Sequence, residues 1–262
     1  MQETDLDLLV RAAKDAGDIA LQYFRAAPKV WDKGGDAGPV TEADLAANAH
    51  LAHVLNDARP EYGWLSEEND DSTDRLDTDR QFVVDPIDGT RAFIEGSENW
   101  AQSLAVVENG VPQTAVVSLP TRGLVFTATK GGGAMLNGTA IAVTGKETCE
   151  GATVLANKRS FADAVWAAGT PPSGLSRDFR SSLAYRLCLV AQGRFDAMMT
   201  LRPTWEWDIA AGALIVTEAG GVVTDRNGAA LTLNNRHPQV NGVLAGSPVI
   251  SAIAAALVPD CA

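Results

Sequence analysis

Apolar positions near the N-terminus recur at helical spacing. Leu6, Leu9, Val10, Ala13, Ala16, Ala20 and Phe24 fall on one face, which predicts a helix over 5–26. The segment 32–39 is rich in Gly and Asp and predicts a loop. Thr41 then stands three residues before Asp44. That spacing lets the threonine side chain accept from the helix start while the acid answers the threonine N–H, so a second helix is predicted to about Asn56. Trp64, Leu65 and Ser66 predict a short strand that ends in Glu67 and Glu68. The stretch 69–80 is polar and acidic and predicts an exposed loop. A strand over 81–84 then runs straight into Asp85.

From 101 to 143 the pattern changes. Apolar and β-branched segments alternate with turn signals at Asn109-Gly110, Gly123, Gly131-Gly132-Gly133 and Asn137-Gly138, which predicts an antiparallel meander. Lys130 to Gly133 resembles a phosphate loop only superficially: it lacks the Gly-Lys-Ser/Thr ending and sits between strands, so it reads as a hairpin turn. Beyond Val143 the elements alternate again. Strands are predicted over 153–156, 195–199, 221–224 and 242–245, and helices over 182–192, 208–219 and 248–257. The expectation is a mixed α/β (α+β) chain in two halves. Residues 1–145 form an α+β half with the meander and most of the candidate acids, and 146–262 an α/β half that supplies Asp208.

Composition narrows the function. The 262 residues are 46% hydrophobic, enough for a large core, and carry a net charge of −12. Such a surface repels nucleic-acid backbones and anionic membranes. No apolar run approaches the about 20 residues that span a bilayer, and Met1 to Leu9 shows no signal-peptide pattern, so no integral membrane contact is expected. Cys149, Cys188 and Cys261 are widely spread without a Cys-x-x-Cys pair and read as free thiols of a reducing cytoplasm. His50, His53 and His237 lack paired ligand spacing and read as structural or solvated. An acidic protein that handles phosphate must neutralise it locally, and bound divalent cations could do this.

Three segments place carboxylates where strands or helices end. They are Ser66-Glu67-Glu68, Asp85-Pro86-Ile87-Asp88-Gly89-Thr90, and Trp207-Asp208-Ile209-Ala210-Ala211-Gly212. In the second, Pro86 biases Asp85 away from helix, Gly89 permits a sharp turn, and Thr90 opens a short helix through Ile94 whose N-terminus suits a phosphate oxygen. Six residues thus offer two carboxylates, the Ile87 carbonyl and an anion nest, the oxygen-rich surroundings that Mg²⁺ takes. Alone, Asp85 and Asp88 would read as turn caps and Asp208 as a helix cap. Together, the three segments read as one metal site. No Gly-x-Ser-x-Gly elbow or reactive-cysteine motif is present, so metal-activated water is a simpler nucleophile than a side chain.

The second and third strings, with Glu218-Ala219-Gly220-Gly221, resemble the two signatures of the inositol monophosphatase superfamily. The segments 39–44, 67–68 and 132–138 fit in the same order, so the resemblance covers nearly the whole chain. It implies a layered αβαβα sandwich like that of inositol monophosphatases and fructose-1,6-bisphosphatases, phosphate-monoester hydrolysis with two to three Mg²⁺ ions, and lithium sensitivity. It also implies roles. Glu67, Asp85 and the Ile87 carbonyl would hold one ion, Asp85, Asp88 and Asp208 a second, and Glu67 with waters a weaker third. Thr90 with Asp44 would orient and deprotonate the attacking water, and the Gly89 and Thr90 N–H groups would cradle the phosphate. Asp88, Ser182 and Asp208 join Gly89 and Thr90 as expected substrate contacts. Relatives are often homodimers.

The substrate is expected to be a small phosphorylated metabolite. Inositol-phosphate members commonly carry a glutamate several residues before the Trp-Asp signature, where this chain has Thr200, Leu201 and Arg202, and Glu206 does not obviously replace it. The segments 181–191 and 205–208 are more similar to bacterial 3'(2'),5'-bisphosphate nucleotidases, which convert adenosine 3',5'-bisphosphate to AMP. Lys158, Arg159, Arg177 and Arg180 could meet a second phosphate or be plain surface charges. Alternatives are inositol-1-phosphate, histidinol phosphate or a sugar bisphosphate as substrate, or a non-enzymatic regulatory binding protein.

Overall fold

The structure is a computed structural model that describes residues 3–34 and 38–259. Cys261, the first two residues and the centre of the predicted 32–39 loop lie outside the described residues. Helix α1 (Asp5–Tyr23) buries Leu8, Leu9, Ala12, Ala16 and Ala20, and Thr4 caps it by accepting from the Asp7 N–H at 3.1 Å. Strands β1 (Val30–Asp32) and β2 (Pro39–Thr41) pair antiparallel around the predicted loop. They are short and were not legible as strands. Thr41 then opens α2 (Glu42–Ala58) with the expected reciprocal cap: its Oγ1 accepts from the Ala43 and Asp44 N–H groups, while Asp44 Oδ2 accepts from the Thr41 N–H at 2.8 Å.

A seven-stranded sheet follows, in spatial order β3 (Gly63–Ser66), β4 (Arg80–Asp88), β5 (Ala101–Glu108), β6 (Val111–Leu119), β7 (Leu124–Thr129), β8 (Ala134–Leu136) and β9 (Thr139–Ala140). Only the β3–β4 pair is parallel; the rest is the predicted meander. Between β4 and β5 runs the short helix α3 (Thr90–Ile94), with the predicted bounds. Alternation along the strands sends Phe82, Val84, Leu104, Val106 and Val116 toward α1 and α2. Val83, Ala105, Val107, Ala115 and Val117 point the other way, onto the helices of the next layer.

The second sheet has the order β11 (Ser176–Asp178), β10 (Thr153–Ala156), β12 (Ala197–Trp205), β14 (Gln239–Gly246) and β13 (Val222–Thr224). Helices α4 (Leu183–Ala191) and α5 (Glu206–Glu218) share one core with its inner residues Leu155, Met198, Val243 and Ala245 and with the first sheet. Its outer residues Val154, Ala156, Met199 and Leu244 pack on α6 (Val249–Ala256). The layers therefore run α, β, α, β, α. No helix among the described residues is long and apolar enough to cross a membrane.

Because α5 lies between two sheets, it is buried from Glu206 to Val216. Small residues on it allow close approach: a Cβ added at Gly212 would sit 2.6 Å from Leu187 Cβ on α4. Gly212→Val is expected to force the two helices apart, at a cost of about 1–3 kcal/mol. Urea unfolding with a midpoint unchanged from wild type would refute this.

Four expectations need correction. The 69–80 segment is not simply an exposed loop: it holds a 3₁₀ turn, Thr73–Asp77, and Arg75 is buried, bonded to Asp71, the Asn234 side chain and the Asn235 carbonyl. Strand β12 does not stop at Met199 but runs to Trp205, across a register irregularity between Thr200 and Pro203 that hides it from a simple alternation count. Strand β4 does not end at Asp85 but runs to Asp88, its pairing with β5 slipping between the two acids, and edge strand β11, three residues long without an apolar alternation, was not foreseen.

Candidate active site

The acids arrive from two adjacent strands of one sheet and from a helix of the next layer. Glu67 and Glu68 follow the end of β3, Asp85 and Asp88 lie on β4, and Asp208 sits in the first turn of α5. Ligand oxygens of Glu67, Asp85 and Asp208 all fall within 4.8 Å of one another. The pairing of β4 with β5 slips between Asp85 and Asp88, which accommodates the Pro86-Ile87 bend. Gly89 then turns the chain at φ 100°, and a Cβ there would lie 3.2 Å from the Asn99 carbonyl oxygen.

Each carboxylate is fixed differently. Asp85 Oδ1 accepts from the Ile87 N–H at 2.9 Å, but its Oδ2 is buried and has no hydrogen-bond partner among the described residues. Burial, then repulsion from Glu67, Asp88 and Asp208, pushes the Asp85 carboxyl well above the usual carboxylate range. Asp208 is raised for the same reasons. Asp88 rises only to about 6, because burial is countered by Ser182 Oγ and the Ala184 N–H, which both donate to its Oδ2 at 2.6 Å. Glu68 is pushed up to about 7 by burial, even with the Lys33 ammonium 2.7 Å away. Lys33 also reaches Glu67, at 3.2 Å. A buried group of acids that repel one another, one with an orphaned oxygen, fits a bound cation: the cation would supply the missing partner and remove the repulsion.

Thr90 and Asp44 come together although 46 residues separate them. Thr90 Oγ1 lies 3.2 Å from Asp44 Oδ1 and 3.3 Å from the Ile87 carbonyl oxygen. The capping box of α2 holds Asp44 from its other side, since Thr41 Oγ1 also donates to Asp44 Oδ2. Burial first, and the Glu67 charge in addition, raise the Asp44 carboxyl above its ordinary value.

A cleft of about 620 Å³ opens over Glu67, Asp85, Asp88, Gly89, Thr90 and Asp208. Arg91, Arg159, Arg186 and Arg202 also line it, as do Phe179, Trp205 and Trp207. The two tryptophans stack at 4.6 Å and 9°. Of the expected substrate contacts, Ser182 is placed otherwise: it is fully buried, and its hydroxyl serves Asp88 and the start of α4, accepting from the Tyr185 N–H at 2.9 Å. Among the four basic candidates, Arg159 is on the cleft. Arg177 donates to the Ala156 carbonyl, Arg180 pairs with Asp178 at 3.1 Å, and Lys158 is not part of the lining.

Arg91, Arg186 and Arg202 were missed. Arg186 sits within the apolar run of α4, where a lone cation among buried neighbours was the available signal. Burial lowers its guanidinium to about 10, with the Asp88 charge pulling the other way. The region 200–202, where the resemblance leads one to expect an inositol-contacting glutamate, carries no carboxylate: Thr200 and Leu201 are buried on β12, and Arg202 lines the cleft. Glu206 is no substitute. It points away and accepts from the Asn234 N–H at 2.7 Å and the Asn235 N–H at 2.9 Å. Among the described residues, none of the three histidines lines the cleft.

Residues 1–261 match the model of the inositol monophosphatase family. Nus factor SuhB of Escherichia coli K12 is 34% identical over 254 residues, covering 93% of this chain and 91% of that protein. Among solved structures, the extragenic suppressor protein suhB of Bartonella henselae is similar at 27% identity and a TM-score of 0.80, over 95% of this chain and 96% of that one. The IMPase of Thermotoga maritima is similar at 29% identity and a TM-score of 0.77, over 95% and 94%.

Proposed function

The chain belongs to the inositol monophosphatase family and is a phosphatase, and on that premise we propose that it uses Mg²⁺ to remove the 3'-phosphate of a nucleoside 3',5'-bisphosphate. The observation that carries the substrate choice is the cleft wall. Arg91, Arg159, Arg186 and Arg202 line the same cleft as the acids, while the region 200–202 supplies no carboxylate where an inositol-contacting glutamate is expected. Four guanidinium groups exceed what one phosphate beside bound cations requires, and they suit a second phosphate.

Glu67, Asp85 and the Ile87 carbonyl would hold one cation, Asp85, Asp88 and Asp208 a second, and Glu67 a weaker third. When bound, such cations neutralise the phosphate and make a water molecule more acidic. The chain's own residues do the rest. Thr90 Oγ1 orients the attacking water and passes its proton to Asp44 Oδ1, a buried acid whose raised proton affinity suits it to accept. Ser182 and the Ala184 N–H keep Asp88 in one orientation. Gly89 and Thr90 bring backbone N–H groups to the phosphate oxygens. The products are inorganic phosphate and the free 3'-hydroxyl.

A second reading, hydrolysis of inositol 1-phosphate, draws support from the names of relatives such as the Thermotoga maritima IMPase. A regulatory role without turnover draws on the Nus-factor names, but the intact acid cluster and the net charge of −12 favour catalysis. The test is kcat/KM on adenosine 3',5'-bisphosphate, inositol 1-phosphate, histidinol phosphate and fructose 1,6-bisphosphate, with EDTA and Li⁺ controls. The nucleotide is expected to lead by about tenfold or more, a difference of about 1.4 kcal/mol in transition-state binding. A tenfold lead for inositol 1-phosphate would overturn the substrate choice.

A further inference from the structure

We infer that Phe179 is a specificity-determining residue of the cleft, stacking its open ring face against the planar base of the leaving nucleoside. This rests on the nucleoside-bisphosphate reading above.

Phe179 lines the cleft and is 44% exposed, and it belongs to no apolar cluster of the interior. An exposed aromatic ring beside a row of arginines is not explained by packing. One face is already taken: the Arg186 guanidinium lies 4.5 Å from the ring centroid. Arg186 is itself fastened. Its Nε donates to the Arg180 carbonyl and its Nη2 to the Ser181 carbonyl at 3.2 Å, so the segment carrying Phe179 is pinned to α4. Ser182, immediately beyond, is tied to Asp88 at 2.6 Å. The three residues that follow Phe179 are thus anchored, which ties the segment carrying the ring to α4 and to Asp88.

The other aromatic rings of the cleft do not offer this. Trp205 and Trp207 cover each other, and His237 lies 5.3 Å from Trp205 on a tilted plane. Among the cleft-lining rings of the described residues, Phe179 is the exposed one, at 44%, whereas Trp207 is buried and Trp205 half-buried. A rigid ring loses little freedom on stacking, and base–aromatic stacking tolerates any base because each has a π-face. Arg186 behind the ring adds a cation to the same cleft wall. The arrangement therefore favours a phosphate ester that is both anionic at a second position and flat.

The experiment compares adenosine 3',5'-bisphosphate with its base-free counterpart, 1-deoxyribose 3,5-bisphosphate, in the Mg²⁺-loaded enzyme. In Phe179→Ala the ratio of kcat/KM for the two substrates is expected to fall about tenfold, carried by KM for the nucleotide, and in Phe179→Trp to hold or rise. The ring is exposed and its removal leaves the Arg186 hydrogen bonds in place, so Tm should not change. An unchanged ratio in Phe179→Ala, with wild type still preferring the nucleotide, would overturn the role of Phe179 and leave the substrate reading intact. Wild-type enzyme that prefers inositol 1-phosphate would overturn both.

Discussion

Asp85→Asn is expected to fold, to bind Mg²⁺ weakly, and to lose about a thousandfold in phosphatase rate, the effect of removing about 4 kcal/mol of stabilisation from a buried charge pairing. The reasoning starts from Asp85 Oδ2, which is buried and lacks a partner among the described residues, beside oxygens of Glu67 and Asp208. The amide keeps the shape but removes the charge, and it places a donor or a weaker acceptor toward the cation. Without metal the same change relieves repulsion, so the variant should be more stable than wild type in EDTA.

The pH dependence has a definite sign. Folding raises the carboxyls of Asp85 and Asp208 well above their ordinary range, and that of Asp88 to about 6. Groups raised on folding contribute stability that is complete below the unfolded-state pKa and is lost as pH climbs through the folded one. Metal-free wild type should therefore lose stability from these groups between about pH 4, the ordinary Asp value, and pH 6 and beyond. Mg²⁺ competes with those protons, so its stabilising shift in Tm should be larger at pH 8 than at pH 5 and should shrink in Asp85→Asn. Calorimetry in EDTA and in MgCl₂ at both pH values, together with turnover, checks this. Near-normal turnover in Asp85→Asn would mean that the carboxylate is not a shared ligand.

What could be read from the sequence was what the chain encodes locally. The turn at Gly89 and the helix start at Thr90 are encoded within six consecutive residues and stand as expected, whereas β4 runs past Asp85 to Asp88. The capping box at Thr41 and Asp44 was equally local. Arg186 was hidden because its neighbours in sequence are apolar, and only the fold turns its guanidinium toward the cleft. Lys33 was hidden in a loop whose approach to Glu67 and Glu68 depends on long-range contacts. Glu206 was ambiguous for the same reason: its partners, Asn234 and Asn235, come from a loop 28 and 29 residues away. Ser182 was read as a substrate contact because it lies in a signature-like segment, whereas packing spends its hydroxyl on Asp88. Motif residues were thus legible, but the side chains that orient or surround them were not.

Thr90→Ala separates positioning of the water from binding of the substrate. The hydroxyl lies between Asp44 Oδ1 and the Ile87 carbonyl, beneath the cleft that holds the acids. Removing it should not disturb Asp44, which keeps its Thr41 donors, and so should cost at most about 1 kcal/mol of stability, the worth of one hydrogen bond. The Gly89 turn and the N–H groups of α3 are backbone features and remain, so phosphate affinity should persist. On the proposed mechanism, what disappears is the group that would hand the water's proton to Asp44, and kcat is expected to fall by about a hundredfold or more with KM little changed. Thr90→Ser keeps the hydroxyl and should recover most of the rate. Steady-state kinetics of the two variants decide the matter: a loss confined to KM, or a serine variant as slow as the alanine one, would assign Thr90 to substrate binding or packing and not to proton transfer.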